Sequence, residues 1–74
     1  MELDRNKFKI IIAKTLGISP DKIEMDRGFS SYGVDSVKIM EVFMELETEF
    51  GAIEIEKAFV CENLEQIFQL INDR

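Results

Sequence analysis

A hydroxyl group stands at a chemically useful place in Gly33-Val34-Asp35-Ser36-Val37, where a polar segment gives way to the longest amphipathic pattern of the chain. Asp35 suits an N-cap, its side chain accepting a backbone N–H, and Gly33 gives the preceding turn conformational latitude. Val37 opens an apolar pattern that runs to Phe50, so Ser36 falls in the first helical turn. The partial positive charge at that end of a helix favours a negatively charged substituent on the serine oxygen, such as a phosphodiester. The same two residues also have the form of a plain helix cap. The rest of the chain has to decide between attachment point and cap.

The chain has 74 residues, enough for one domain spanning 1–74 and too few for a deep enclosed active site, so binding or carriage is expected rather than catalysis. It contains no histidine, which removes Ser-His and Cys-His nucleophiles and the commonest zinc ligand together. Cys61 is the only cysteine; it reads as a small apolar residue, and no metal site is expected. Nine basic residues stand against fifteen acidic ones, a net charge of −6, which opposes nucleic acid and anionic membrane and favours a basic protein partner. The charge is uneven: residues 1–34 carry 6 basic and 5 acidic side chains, residues 35–74 carry 3 and 10. No apolar run approaches the ~18 residues of a membrane span, and Met1-Glu2-Leu3-Asp4 lacks the character of a signal peptide. A cytoplasmic monomer is the expectation.

The elements that must position Ser36 are helical. Phe8, Ile11, Ile12 and Leu16 recur at i, i+3, i+4 and i+8, with Leu3 one turn earlier, and Gly17 is a stop signal. From Ile18 to Val34 the periodicity fades. Ser19-Pro20-Asp21 can start a short helical turn, Gly28, Ser30, Ser31 and Gly33 mark loop, and Ile23, Met25, Phe29 and Tyr32 are the apolar side chains expected to pin it. After Gly51, Ala52 to Cys61 supports a short or irregular helix with Ile53, Ile55, Ala58 and Phe59 as contacts. Asn63, with Gln66 three residues on, has the form of an N-cap with a reaching amide, and Leu64, Ile67, Phe68 and Ile71 give a last helix. The expected fold is all-α: a small bundle of three main helices plus one short helix, with a long loop between the first and second.

Plotted at about 100° per residue, the second helix gathers Ile39, Val42, Phe43, Leu46 and Phe50 on a core face. Val37, Met40 and Met44 form a separate strip, bordered or opposed by Glu41, Glu45, Glu47 and Glu49. An apolar centre with an acidic rim has the make-up of a docking surface. The strip could equally be covered by the loop or the next helix, with the glutamates an ordinary solvated face.

The order Leu16-Gly17, long loop, Gly33 to Val37, acidic helix ending in Glu49-Phe50-Gly51, short helix and final helix resembles the acyl carrier protein and peptidyl carrier family over nearly the whole chain. The resemblance implies that Ser36 is esterified to 4′-phosphopantetheine from coenzyme A, whose terminal thiol holds an acyl or aminoacyl group as a thioester. It also implies that Asp35 assists a magnesium-dependent phosphopantetheinyl transferase. By the same resemblance Glu41 and Glu47 match helix positions that meet basic patches on partner enzymes; with the strip of Val37, Met40 and Met44, and with Lys38 and Glu45, they are the candidate contacts for this transferase and the enzymes that load and process the cargo.

The chain departs from the family pattern at three places, of which the change at residue 37 is mild and should preserve the apolar contact. Val37 replaces the commoner leucine, and Lys38 stands where fatty-acid carriers usually have an acid. Phe29-Ser30-Ser31-Tyr32-Gly33 has one residue fewer before the glycine-containing motif than the fatty-acid pattern. The chain therefore looks more like a free-standing carrier of polyketide or nonribosomal peptide synthesis, with fatty-acid synthesis close behind. A competing reading from another class is a small acidic helical adaptor that docks a partner through Val37, Met40 and Met44, with Ser36 a cap or phosphorylation site.

Overall fold

The computed structural model of the chain describes residues 4–73. Helix α1 runs Arg5–Leu16 because Asp4, in an extended conformation, accepts from the N–H groups of Asn6 and Lys7 at 2.9 and 3.4 Å, and Gly17 ends it with φ 74°. Its buried face is Phe8, Ile12 and Ala13, with Ile11 and Leu16 partly covered; the suggested contact at Leu3 lies outside the described residues. Helix α2 spans Ser36–Phe50, α3 Ile55–Phe59 and α4 Leu64–Asn72. Among the described residues there is no strand, and no helix is long and apolar enough to cross a membrane.

One core lies between the helices. Val42, Phe43 and Leu46 of α2 and Leu64, Ile67, Phe68 and Ile71 of α4 are buried, as their spacing predicts, while Ile39 and Phe50 are half-buried against the same core. Phe8 meets Phe68 edge-on, with ring centroids 5.2 Å apart, and Phe43 meets both Phe29 and Phe59 in the same manner, at 6.0 and 5.3 Å. Such aromatic pairs add to the stabilisation from burial alone. Ion pairs fasten the outside of the bundle: Arg5 grips Glu65 of α4 while lying over the Phe68 ring, and Lys7 reaches Glu49 of α2 at 3.3 Å.

The long loop contains two 3-10 turns. Pro20–Lys22 begins at Ser19, whose hydroxyl accepts from the Asp21 N–H, as its sequence suggests. The second, Phe29–Tyr32, was expected to be irregular loop. It forms because Arg27 organises it. The guanidinium lies over the Tyr32 ring, 4.9 Å from its centroid, and donates to Ser31 Oγ, the Ser31 carbonyl and Glu24. The Tyr32 hydroxyl in turn accepts from the Glu24 N–H at 2.9 Å and donates to the Glu24 carbonyl.

The loop is also tied to the far end of the chain. Carbonyls of Met25 and Arg27 accept from the N–H groups of Glu65 and Leu64, satisfying donors that the start of α4 would otherwise leave open. Gly28 permits this approach, since a Cβ there would lie 2.5 Å from the Glu62 carbonyl oxygen. Ile23 is buried, and Met25, Phe29 and Tyr32 are half-buried against the core, so all four expected pins hold. Asn63 caps α4 by accepting from the Gln66 N–H at 2.9 Å; the Gln66 amide reaches back to the Glu62 N–H, one residue before the cap.

Candidate functional site

The chain arrives at Ser36 through a turn that only glycine makes comfortably: Gly33 ends the Phe29–Tyr32 turn at φ 68°, in the left-handed region. Asp35 is extended, and its Oδ1 accepts from the Lys38 N–H at 2.9 Å while its carbonyl accepts the first helical bond, from Ile39. Among the described residues this leaves no acceptor for the N–H groups of Ser36 and Val37, and only one oxygen of the Asp35 carboxylate is engaged. Two open N–H groups, those of Ser36 and Val37, thus lie at the start of a helix of 15 residues, with the dipole that length brings.

The sequence has four serines, and their environments separate them. Ser19 accepts a bond at the start of a 3-10 turn, and Ser31 is locked between Arg27 and the Gly28 carbonyl, to which it donates at 2.7 Å. Ser30 and Ser36 are exposed with no side-chain hydrogen bond among the described residues. Of these two only Ser36 stands at the N-terminus of an α-helix. Its hydroxyl is accessible and uncommitted.

The surrounding strip is partly as the helical plot suggests. Val37 and Met44 are 67% and 60% exposed, and nothing in the loop or in α3 covers them. Met40 departs from the expected strip. It is half-buried against the core, because its direction on the helix falls on the flank of α2 that carries Ser36 and Glu47, toward the turn into α3.

The acidic rim is also less free than its composition suggests. Glu41 pairs with Lys38 at 2.9 Å, Glu49 with Lys7, and Glu47 is half-buried with its carboxylate accepting from the Ile53 N–H at 3.3 Å. Glu45 alone among the four has no partner among the described residues.

Beside the site, Ile39 and Phe43 of α2, Gly28 and Phe29 of the loop, and Phe59 and Cys61 line a small cleft of about 220 Å³. Phe59, expected as a core contact, is 47% exposed even as its edge meets Phe43. Cys61 donates to the Lys57 carbonyl, and burial pushes its thiol pKa up, which favours the protonated thiol.

Comparison with known protein families matches residues 6–71 to the phosphopantetheine attachment site. An exposed serine at a helix N-terminus with open N–H groups fits a phosphodiester, so the residues present suit the prosthetic group. Domains of this kind are carriers rather than catalysts, and they meet a phosphopantetheinyl transferase and biosynthetic enzymes. With the match running from the first helix to the last, the chain belongs to the phosphopantetheine attachment site family and carries 4′-phosphopantetheine as a covalent group.

Proposed function

We propose that Ser36 is the attachment residue and that the domain holds an acyl or aminoacyl cargo as a thioester on the phosphopantetheine arm. The carrying observation is the contrast among the serines: Ser36 alone combines an exposed, unbonded hydroxyl with the N-terminus of a long helix. Asp35 serves two ends, capping α2 through one carboxylate oxygen and leaving the other toward the magnesium-dependent transferase. The thiol and its thioester chemistry belong to the arm. This chain's residues hold the arm's root at the surface and keep the helix beneath it rigid.

Partners dock on the crest of α2, where Val37 and Met44 are exposed beside Lys38, Glu41 and Glu45. Met40 and Glu47 stand at its edge with their main contacts inside the molecule. A small apolar centre with rim charges favours fast, salt-sensitive and reversible association, which a carrier passed among enzymes needs. Lys38 and the spacing of Phe29 to Gly33, one residue tighter than the fatty-acid pattern, favour polyketide or nonribosomal peptide synthesis over fatty-acid synthesis. The family match supports a carrier over an unmodified adaptor.

The test is intact-protein mass and peptide mapping after incubation with coenzyme A, magnesium and a broad-specificity transferase. One arm on Ser36 is expected, and Ser36→Ala should stay unmodified while keeping its helical signal, since Asp35 provides the cap. Modification of Ser30 instead, or none at all, would overturn the assignment.

A further inference from the structure

Three of the four α2 carboxylates are engaged within the molecule, and where the fourth lies decides what a partner meets. At about 100° per residue, Lys38, Glu41 and Glu45 fall along the flank of α2 turned toward α1. There Lys14 and Thr15 face Glu41, Met44 and Glu45 across a shallow groove. Lys14 and Glu45 are exposed and have no ion-pair partner among the described residues. Lys38 shares its ammonium with Glu41 alone. The surface around the exposed Met44 is therefore an alternation of cations and anions.

A uniformly basic surface brought against this flank would meet two carboxylates, Glu41 and Glu45, and two ammonium groups, Lys14 and Lys38, so its attractions are offset by repulsions. Like charges facing each other across an interface cost more than a screened rim pair returns. Nor is Lys38 a clamp for the phosphodiester: two residues from Ser36 lies about 200° around the helix, and its ammonium is held by Glu41.

We infer that the transferase which loads Ser36 meets this flank with a mixed-charge surface, offering an acid or neutral acceptor to Lys38 and a base to Glu45. Lys38 thereby selects partners, admitting those with opposite charges in this order and turning away those with a plain basic patch. The inference rests on the carrier function proposed for Ser36.

The sign of one substitution tests it. With the unmodified chain, coenzyme A, magnesium and the phosphopantetheinyl transferase of the same organism, Lys38→Glu should lower kcat/KM about ten-fold at low ionic strength, through KM. Glu45→Lys should do the same, and both defects should shrink as salt rises. The double exchange Lys38→Glu/Glu41→Lys keeps an i,i+3 ion pair, so it should hold its circular dichroism and still load slowly. Loading of Lys38→Glu as fast as or faster than the parent would overturn the inference, because a plain acidic face would then be what the transferase reads. Failure of the parent chain itself to be modified at Ser36 would overturn the carrier function beneath it, and the two failures are distinct.

Discussion

Ser31 and Ser36 stand five residues apart and differ in what has claimed their hydroxyls. Ser31 donates to one backbone carbonyl and accepts from Arg27, inside a loop where Glu24, Arg27 and Tyr32 interlock. Ser36 opens a helix whose cap is provided by its neighbour, and its hydroxyl is left over. The loop spends its polar groups on holding a shape, and the crest of α2 leaves Ser36, Val37, Met44 and Glu45 uncommitted. Availability, more than residue type, marks the functional surface of this small domain.

The sharpest break of that comparison is between two faces of α2 itself. Leu46 is fully buried and Met44 is exposed, two residues apart. Leu46→Ala should cost about 2–5 kcal/mol, enough to unfold much of a domain this small, whereas Met44→Ala should cost well under about 1 kcal/mol. Thermal or urea melts of the two variants check this; equal losses would mean that Met44 belongs to the core and that the crest is not a free surface.

On the loop side the corresponding break is Gly28→Ala. Its backbone (φ −92°) suits any residue, so the strain is steric: the added Cβ meets the Glu62 carbonyl at 2.5 Å, which is backbone and cannot swing aside. Forcing the loop off the start of α4 loosens the bonds from Leu64 and Glu65 to the Arg27 and Met25 carbonyls. A loss of about 1–3 kcal/mol is expected, with faster amide exchange at Leu64 and Glu65. Unchanged exchange at those two amides would show that the loop is not anchored there.

How much of this was legible in the sequence follows from how far each signal reaches along the chain. Asp35 as cap, Ser36 in the first turn and the end of α2 at Phe50 rest on neighbours within a few residues, and all are as the periodicity predicts. The 3-10 turn at Phe29–Tyr32 escaped because it depends on Arg27 lying over Tyr32 and on Tyr32 reaching Glu24, contacts without a periodic signature. Glu47 and Glu49 read as rim charges on a helical plot. One is taken by the Ile53 N–H across the turn after Gly51 and the other by Lys7 from α1, so their engagement exists only once the helices pack. Pairing of Lys38 with Glu41 was within reach, since i,i+3 spacing on one helix is local.

The smallest expected effect tests whether the ion pairs on the outside of the bundle hold it together or merely decorate it. Arg5 binds Glu65 through both guanidinium nitrogens, and Gln69 adds a bond to the same carboxylate at 2.9 Å. The Arg5 hydrogen bonds foremost, with that from Gln69, hold the Glu65 carboxyl at about 2, below its ordinary 4.5. A carboxylate depressed by folding adds stability in full above its unfolded value; that contribution fades as pH falls below 4.5 and is gone once pH has passed through about 2. Both side chains are partly exposed, so solvent screens the pair and the contribution stays small beside that of Leu46 or Gly28. Glu65→Gln should therefore melt slightly below the parent at neutral pH, and the two curves should converge as the solution is acidified through this window. Carboxyl chemical shifts give the independent check: a Glu65 titration centred near 4.5 would mean that Arg5 and Glu65 do not hold each other in solution, and that α1 and α4 are joined at this edge by the contacts of Phe68 with Phe8 and with the Arg5 guanidinium.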